Sequence, residues 1–293
     1  PFNNLGFAAQ GIYRKAGALN DDVQIDFALL DWTFYNTGST QAGIRLGRIK
    51  NPIGFYNETR DVAFTRPSTL LPQGIYYERL RDLYLSADGG QFYFNQSSDI
   101  GEFSLQVQIG KPMDGNSELE KAYFSFDAPG YLKAETAKLA KLAYESNSGA
   151  TRFAVTYIDL DLNYRPETHD VLTAGNIAID ILILSAEKKF NQFTLTGEYL
   201  IQDNSMSDLG FLLPNAQSTS ISYYLQGGYQ LSSDIQLNLR YDVLFRDEND
   251  KDGSHYAAVT GKPKHDAYAK DKSDGQIWTP NNQWMVPAVC PLI

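Results

Sequence analysis

Apolar and polar residues alternate with a period of two through much of this chain, and most cleanly in its second half. From Ile235 the odd positions read Ile235, Leu237, Leu239, Tyr241, Val243 and Phe245, against Gln236, Asn238, Arg240, Asp242, Leu244 and Arg246 at the even ones. Ile221, Tyr223, Leu225, Tyr229 and Leu231 likewise oppose Ser220, Ser222, Gln226 and Gln230, and Phe193, Leu195, Tyr199 and Ile201 oppose Thr194, Thr196, Glu198 and Gln202. Phe103, Leu105, Val107 and Ile109 repeat the pattern against Glu102, Ser104, Gln106 and Gln108. Successive strand side chains point to opposite faces, so these segments are strands with one apolar face.

Weaker alternation places further strands at 5–15, 23–36, 42–49, 83–95, 135–146, 151–164 and 174–189. The total is about eleven strands of roughly 9–15 residues, longer than the ~5–6 of ordinary soluble strands and suited to a tilted bilayer crossing of about 9–11. From the second strand on, the connections alternate in length. Short turns at Asn36–Gln41, Asn95–Gly101, Ser146–Ala150, Phe190–Gln192 and Leu231–Asp234 carry hairpin residues. Long connections at 50–82, 111–134, 165–173, 203–217 and 247–282 separate them. Up-and-down barrels collect alternate connections at opposite rims, and short turns at one rim with long loops at the other is the outer-membrane pattern. The short turns are then periplasmic and the first strand runs outward. The loops near Asn57, Asn116, Asp170, Asn204 and Asp250 lie at the outer rim, except that 50–82 folds inward.

Composition narrows the choice. Hydrophobic residues make up 43% and aromatics 13% of 293 residues, enough for a substantial fold. The net charge of −10 argues against nucleic acid as a partner, since a basic footprint is lacking. Cys290 is the single cysteine, so there is no disulfide framework. The longest nearly apolar run, Ile177 to Ala186, is broken by Asp180 and is too short for a spanning helix of about 20 residues. A mean hydropathy of −0.35 leaves barrel strands open, because their two faces average out. The chain starts at Pro1 rather than Met, as a processed or cut chain does.

A secreted soluble β-sandwich or solenoid that binds or cleaves polysaccharide also alternates, with its apolar face inward. The polar faces here favour Gln, Asn, Ser and Thr over Lys and Glu, which suits a wet lumen. Aromatics such as Phe193 with Tyr199, and Tyr223 with Tyr229, stand near both ends of the apolar face, as in an aromatic girdle. The reading is therefore all-β: an up-and-down antiparallel transmembrane β-barrel in the bacterial outer membrane.

The run Gly47-Arg48-Ile49-Lys50-Asn51-Pro52-Ile53-Gly54, followed by Arg60-Asp61-Val62-Ala63-Phe64-Thr65-Arg66-Pro67, resembles the segment after an early strand in Gram-negative outer-membrane porins of the phosphate-selective-porin-like group. The resemblance implies a trimeric, water-filled barrel of roughly sixteen strands, narrowed by an inward loop. The chain departs from that pattern in lacking a dense Arg and Lys series for an anion ladder. Its end, Trp284 to Ile293, lacks the alternating strand with a terminal Phe, and prolines 287 and 291 stand where a ladder donor is needed. Residues 1–293 thus read as one barrel domain, incomplete at the C-terminus and at the N-terminus, with Gln283–Val286 starting a twelfth strand.

Within 50–82, Arg60, Asp61, Arg66, Glu78, Arg79 and Arg81 are the candidate pore-constriction residues, their opposed charges setting a transverse field. The plainer alternative is an extracellular cap with surface ion pairs. Arg45, Asp159, Asp161, Glu198, Arg240 and Asp242 are the candidate lumen-lining charges, with structural salt bridges as the alternative for Arg45 and Arg240. Asp159 and Asp161 also stand at a spacing that could mimic a glycosidase carboxylate pair. Asp247 to Gly253 resembles the start of a calcium loop, but the twelfth position from Glu248 is Val259 rather than a bidentate Glu. His169, His255 and His265 fall in loops without metal or nucleophile spacing. No catalytic residue, metal or cofactor is assigned. The partners expected are the lipid bilayer with lipopolysaccharide, small solutes, and two further copies in a homotrimer.

Overall fold

The computed structural model describes residues 4–13, 23–62, 65, 66, 68, 70–113, 117–124, 128–233, 235–260, 283–284 and 288–291. Its strands are β1 Leu5–Tyr13, β2 Val23–Asn36, β3 Thr40–Lys50, β4 Ser86–Ser98, β5 Gly101–Pro112, β6 Tyr131–Ala134 and β7 Ala137–Ser146. They continue with β8 Thr151–Arg165, β9 Asn176–Phe190, β10 Phe193–Ser207, β11 Ala216–Gln230, β12 Ile235–Phe245, β13 Gln283–Trp284 and β14 Ala288–Pro291. Among the described residues three short α-helices lie in the long connections: α1 Arg81–Leu85, α2 Ser117–Phe124 and α3 Ser254–Thr260.

All described strands join one antiparallel meander in which each long strand pairs with its chain neighbours. β6 and β7 both pair with β8 and are one strand interrupted at Glu135 and Thr136. The long strands therefore match the eleven read from the sequence. Among the described residues no second sheet packs on this one, which removes the sandwich reading, and no strand joins β1 to the β12 side. The tail pairs despite its prolines, since β13 and β14 both lie along β12. Two boundaries move. β10 and β11 run past the expected loop at 203–217, leaving only 208–215 between them, so Asn204 is buried in a strand and not at a rim. Residues 202–207 carry no apolar alternation to mark that extension.

One face of the sheet is apolar and exposed. On β10 and β11 it carries Phe193, Leu195, Tyr199 and Leu225 with the half-buried Tyr223, and on neighbouring strands Phe92, Val107, Leu142, Val155 and Leu184. Large apolar side chains in unbroken rows over so many strands would not remain uncovered in water. Toward the short turns the band ends in ring contacts: Phe103 with Tyr144 at 5.0 Å, Tyr144 with Phe153 at 6.4 Å, Phe190 with Phe193 at 5.9 Å and Phe193 with Tyr229 at 4.6 Å. Toward the long loops it ends in charge. Arg48 stands opposite Asp88, and Lys138, Asp159, Asp180 and Asp203 follow one another in register across β7 to β10. From Phe193 to Ile201 the band spans eight steps of about 3.3 Å, some 20 Å once a strand tilt of ~40° is allowed for, close to the ~25 Å band of outer-membrane barrels.

The opposite face is polar toward the short turns and apolar toward the long loops. On β8 and β9, Ile158, Leu160, Leu162, Ile177, Ile179, Ile181 and Ile183 turn inward and pack with Leu119 and Phe124 of α2, Leu132, Leu172 and Leu209. Both faces of β9 are therefore apolar, which is why its alternation was weak in the sequence. The polar inner face read from the sequence is thus confined to the short-turn half, and the long-loop half of β8 and β9 lines a packed core.

Candidate functional site

The described residues between Asn51 and Leu85 lie against the inner face and reach strands remote from their own base. Gly54, at φ 53°, turns the chain where an added Cβ would meet Tyr76 Oη at 2.3 Å and Glu198 Oε1 at 2.6 Å, so only glycine fits. Glu198 of β10, 2% exposed, gathers the contacts. It accepts from Tyr76 Oη at 2.7 Å, Tyr224 Oη at 2.9 Å, Ser185 Oγ at 2.6 Å and the Phe55 amide at 3.0 Å. Burial and the Glu198 charge push the Tyr76 hydroxyl well above its ordinary pKa, keeping it a donor. Further along, Arg240 of β12 donates to Ser68 Oγ at 2.9 Å and the Leu70 carbonyl at 2.7 Å, and to Asp242 at 2.9 Å. On the near side Glu58 accepts from Gln106 of β5 at 3.1 Å and Lys141 of β7 at 3.2 Å. A loop that leaves β3 and touches β5, β7, β10 and β12 requires the sheet to curl around it.

The six expected constriction residues are placed differently from one another. Arg60 is buried, donating to Glu78 at 2.7 Å, the Tyr76 carbonyl at 3.2 Å and Asn57 Oδ1 at 3.3 Å. Burial draws its guanidinium below the ordinary arginine value, with Glu78 opposing. Arg81 is also buried, 2.6 Å from Asp61 and 3.5 Å from Asp26 of β2. Burial alone would raise the Asp61 carboxyl, but Arg81, Lys50 at 3.7 Å and Arg60 hold it below the usual carboxylate range. Arg60 and Arg81 are thus tied up inside the loop, while the Glu78 side chain stays partly exposed. Arg66 is half-buried, and the Arg79 side chain lies outside the described residues.

Of the lumen-lining candidates, Arg45, Glu198, Arg240 and Asp242 lie on the inner face, Arg45 half-buried and the other three buried. Asp159 and Asp161 are a correction: they share the outer face of β8 with Phe153, Val155 and Tyr157, while Ile158, Leu160 and Leu162 turn in. The apolar inner wall puts the polar side of β8 outward above the band, a reversal that period-two counting cannot detect. Asp159 pairs with Lys138 at 2.9 Å, and Asp180 accepts from Tyr157 Oη at 2.5 Å. In the loop after β12, Asp250 and Asp252 accept from the backbone amides of His255 and Ser254, capping α3. Cys290's side chain and His265 lie outside the described residues.

Open space remains between the loop and the short-turn end, a cavity of about 340 Å³ lined by Arg45, Glu58, Glu102, Lys141, Glu145 and Arg152 with Phe55, Tyr93 and Tyr144. Lys141 and Arg152 escaped the sequence reading because their strands alternate weakly. Arg45 donates to Asp31 at 3.0 Å and Gln91 at 2.9 Å and stacks 4.6 Å over Tyr93. From Gln91 a chain of buried amides runs through Gln108 to Asn51 at 2.9 and 2.7 Å. Arg152 makes two hydrogen bonds to Glu187, at 3.1 and 2.9 Å, and sits 4.5 Å over the Phe55 ring.

No protein-family model matches the chain, and no curated protein does. Solved structures similar to it include a loop L8 deletion mutant of OmpT, an outer membrane protein of Vibrio cholerae, with 13% identity over 83% of this chain and 80% of that chain and a TM-score of 0.42. A porin refined at 1.8 Å resolution has 12% identity over 78% of this chain and 61% of its own, with a TM-score of 0.39. The toluene transporter TodX of Pseudomonas putida has 10% identity over 82% and 71%, with a TM-score of 0.27.

Proposed function

We propose that this chain forms a channel wall in the bacterial outer membrane, through which small hydrophilic solutes or ions pass by diffusion, without catalysis or cofactor. The observation that carries the reading is the pairing of two opposite faces on one meander. Outside is an apolar band bounded by rings at one edge and charges at the other; inside is a polar, charged cavity crossed by a loop. A bilayer satisfies the first face and water the second. In this reading the short turns are periplasmic, lipid and lipopolysaccharide surround the band, and a homotrimer is the assembly. The cavity beneath Phe55 and Glu58, and not the braced charges at Arg60 and Arg81, is the narrow part of the path.

The test is extraction from membranes, followed by detergent-gel migration with and without boiling and by planar-bilayer recording. Heat-modifiable migration with stepwise conductance is expected. A protein soluble without detergent, unaffected by boiling and unable to conduct would overturn the reading.

A further inference from the structure

The charges around the cavity do not cancel locally. Each cation on its wall has a nearby carboxylate: Arg45 has Asp31 at 3.0 Å, Lys141 has Glu58 at 3.2 Å, and Arg152 has Glu187 at 2.9 Å, which Lys189 shares at 3.5 Å. Two further carboxylates line the same space, Glu102 of β5 and Glu145 of β7, which face each other directly across the strand pair. Among the described residues neither makes an ion pair or a side-chain hydrogen bond, and both are exposed. Arg152 stands opposite Glu145 on β8, but its guanidinium is turned to Glu187. Like charges in direct cross-strand register disfavour folding. The fold tolerates this pair where the facing space is open to water.

We propose that Glu102 and Glu145 make the passage prefer small cations, protonated amines included, over anions. The inference rests on the channel reading and adds to it the sign of selectivity and its residues. Two carboxylates lining a space of this size lie within a few ångströms of any ion in it, inside the Debye length of about 10 Å at 0.1 M salt. The paired cations present neighbouring positive and negative charge to the same ion and contribute little net field. Strand register fixes the backbone positions of both residues on the wall, so the preference does not depend on the loop's position.

The experiment measures reversal potential across a planar bilayer holding the full chain, in a KCl gradient and in an ethanolamine hydrochloride gradient. The wild type is expected to favour the cation in both, more strongly at 0.1 M than at 1 M salt. Glu102→Gln with Glu145→Gln should lower the cation-to-anion permeability ratio by about threefold or more, as expected for two unit charges a few ångströms from the ion. Asp159→Asn with Asp180→Asn, on the outer face, should leave it unchanged. If the double Gln variant does not insert, Glu145→Gln alone and the sign measured for the wild type decide. Anion preference in the wild type, or a ratio indifferent to the Gln substitutions, overturns the inference while leaving a channel. A folded, heat-modifiable protein that conducts nothing overturns the channel reading and this inference with it.

Discussion

Glu198→Ala removes the acceptor on which four donors from three parts of the chain converge. The Phe55 amide keeps a second acceptor, Tyr76 Oη at 2.8 Å, but the hydroxyls of Tyr76, Tyr224 and Ser185 lose theirs in a buried setting. A buried donor left without a partner costs about 1–3 kcal/mol, so three amount to roughly 3–9 kcal/mol. Water entering the space left by the carboxylate recovers part, leaving about 4 kcal/mol against loop docking. At 1.4 kcal/mol per tenfold, that shifts the docked-to-undocked ratio by roughly a thousandfold. The wall depends on its own ladders and should remain folded. The assay is hydrogen exchange on detergent-solubilised protein. The amides of Phe55 and Tyr56 should exchange about two to three orders of magnitude faster in the variant, while those of β9 to β11 hardly change. Glu198→Gln, which keeps one acceptor oxygen, should fall between. A folded Glu198→Ala variant whose loop amides exchange at the wild-type rate would show that the loop is held by something other than this carboxylate.

Gly54→Ala attacks the same docking from the other side, placing a methyl where Tyr76 Oη and Glu198 Oε1 already lie; it should also speed Phe55 exchange, and unchanged protection would mean the turn adapts. Leu184→Arg, in the outward band of β9, should cost about 2–4 kcal/mol in unfolding titrations from bilayers, whereas Asp180→Arg at the band's edge should cost about 0–1; equal costs would misplace the membrane boundary. Asp61's folded pKa lies below its unfolded value of about 4, so its contribution is complete above that value and is lost as pH falls through the lower folded one. Loop exchange should thus accelerate in acid below about pH 4, and Asp61→Asn should be fast at neutral pH and insensitive to that change.

The strand rhythm was legible where the outer face stays apolar and the inner face polar over many consecutive residues. Phe193 to Ile201 and Ile235 to Phe245 kept their period for that reason. Legibility ended where the inner environment changes along a strand. On β8 the polar lumen gives way to the packed core, so Asp159 and Asp161 belong to the outer edge and not to the interior. The inward course of the segment after β3 was visible in its aromatic and charged content. Which charges stayed free was not, because pairing across the curled sheet joins residues far apart in sequence, such as Glu58 with Lys141 and Arg240 with Ser68. Glu102 showed on a polar strand face. That its neighbour across the ladder is Glu145 follows only from register.

The bond from Phe55 to Glu198 joins residues 143 apart in the chain, whereas every long strand of the wall pairs with the one before it. Hairpins between neighbours close small loops and form early; a contact of such separation carries a much larger closure entropy and forms after them. The wall can therefore grow hairpin by hairpin while the segment after β3 stays undocked, since its partners on β7, β8, β10 and β12 belong to strands further along the meander. Docking of Tyr76 onto Glu198 then marks the moment at which the sheet has curled far enough to bring its ends near one another. A kinetic probe on Tyr76 would report assembly of the whole wall, not of the local turn in which it sits.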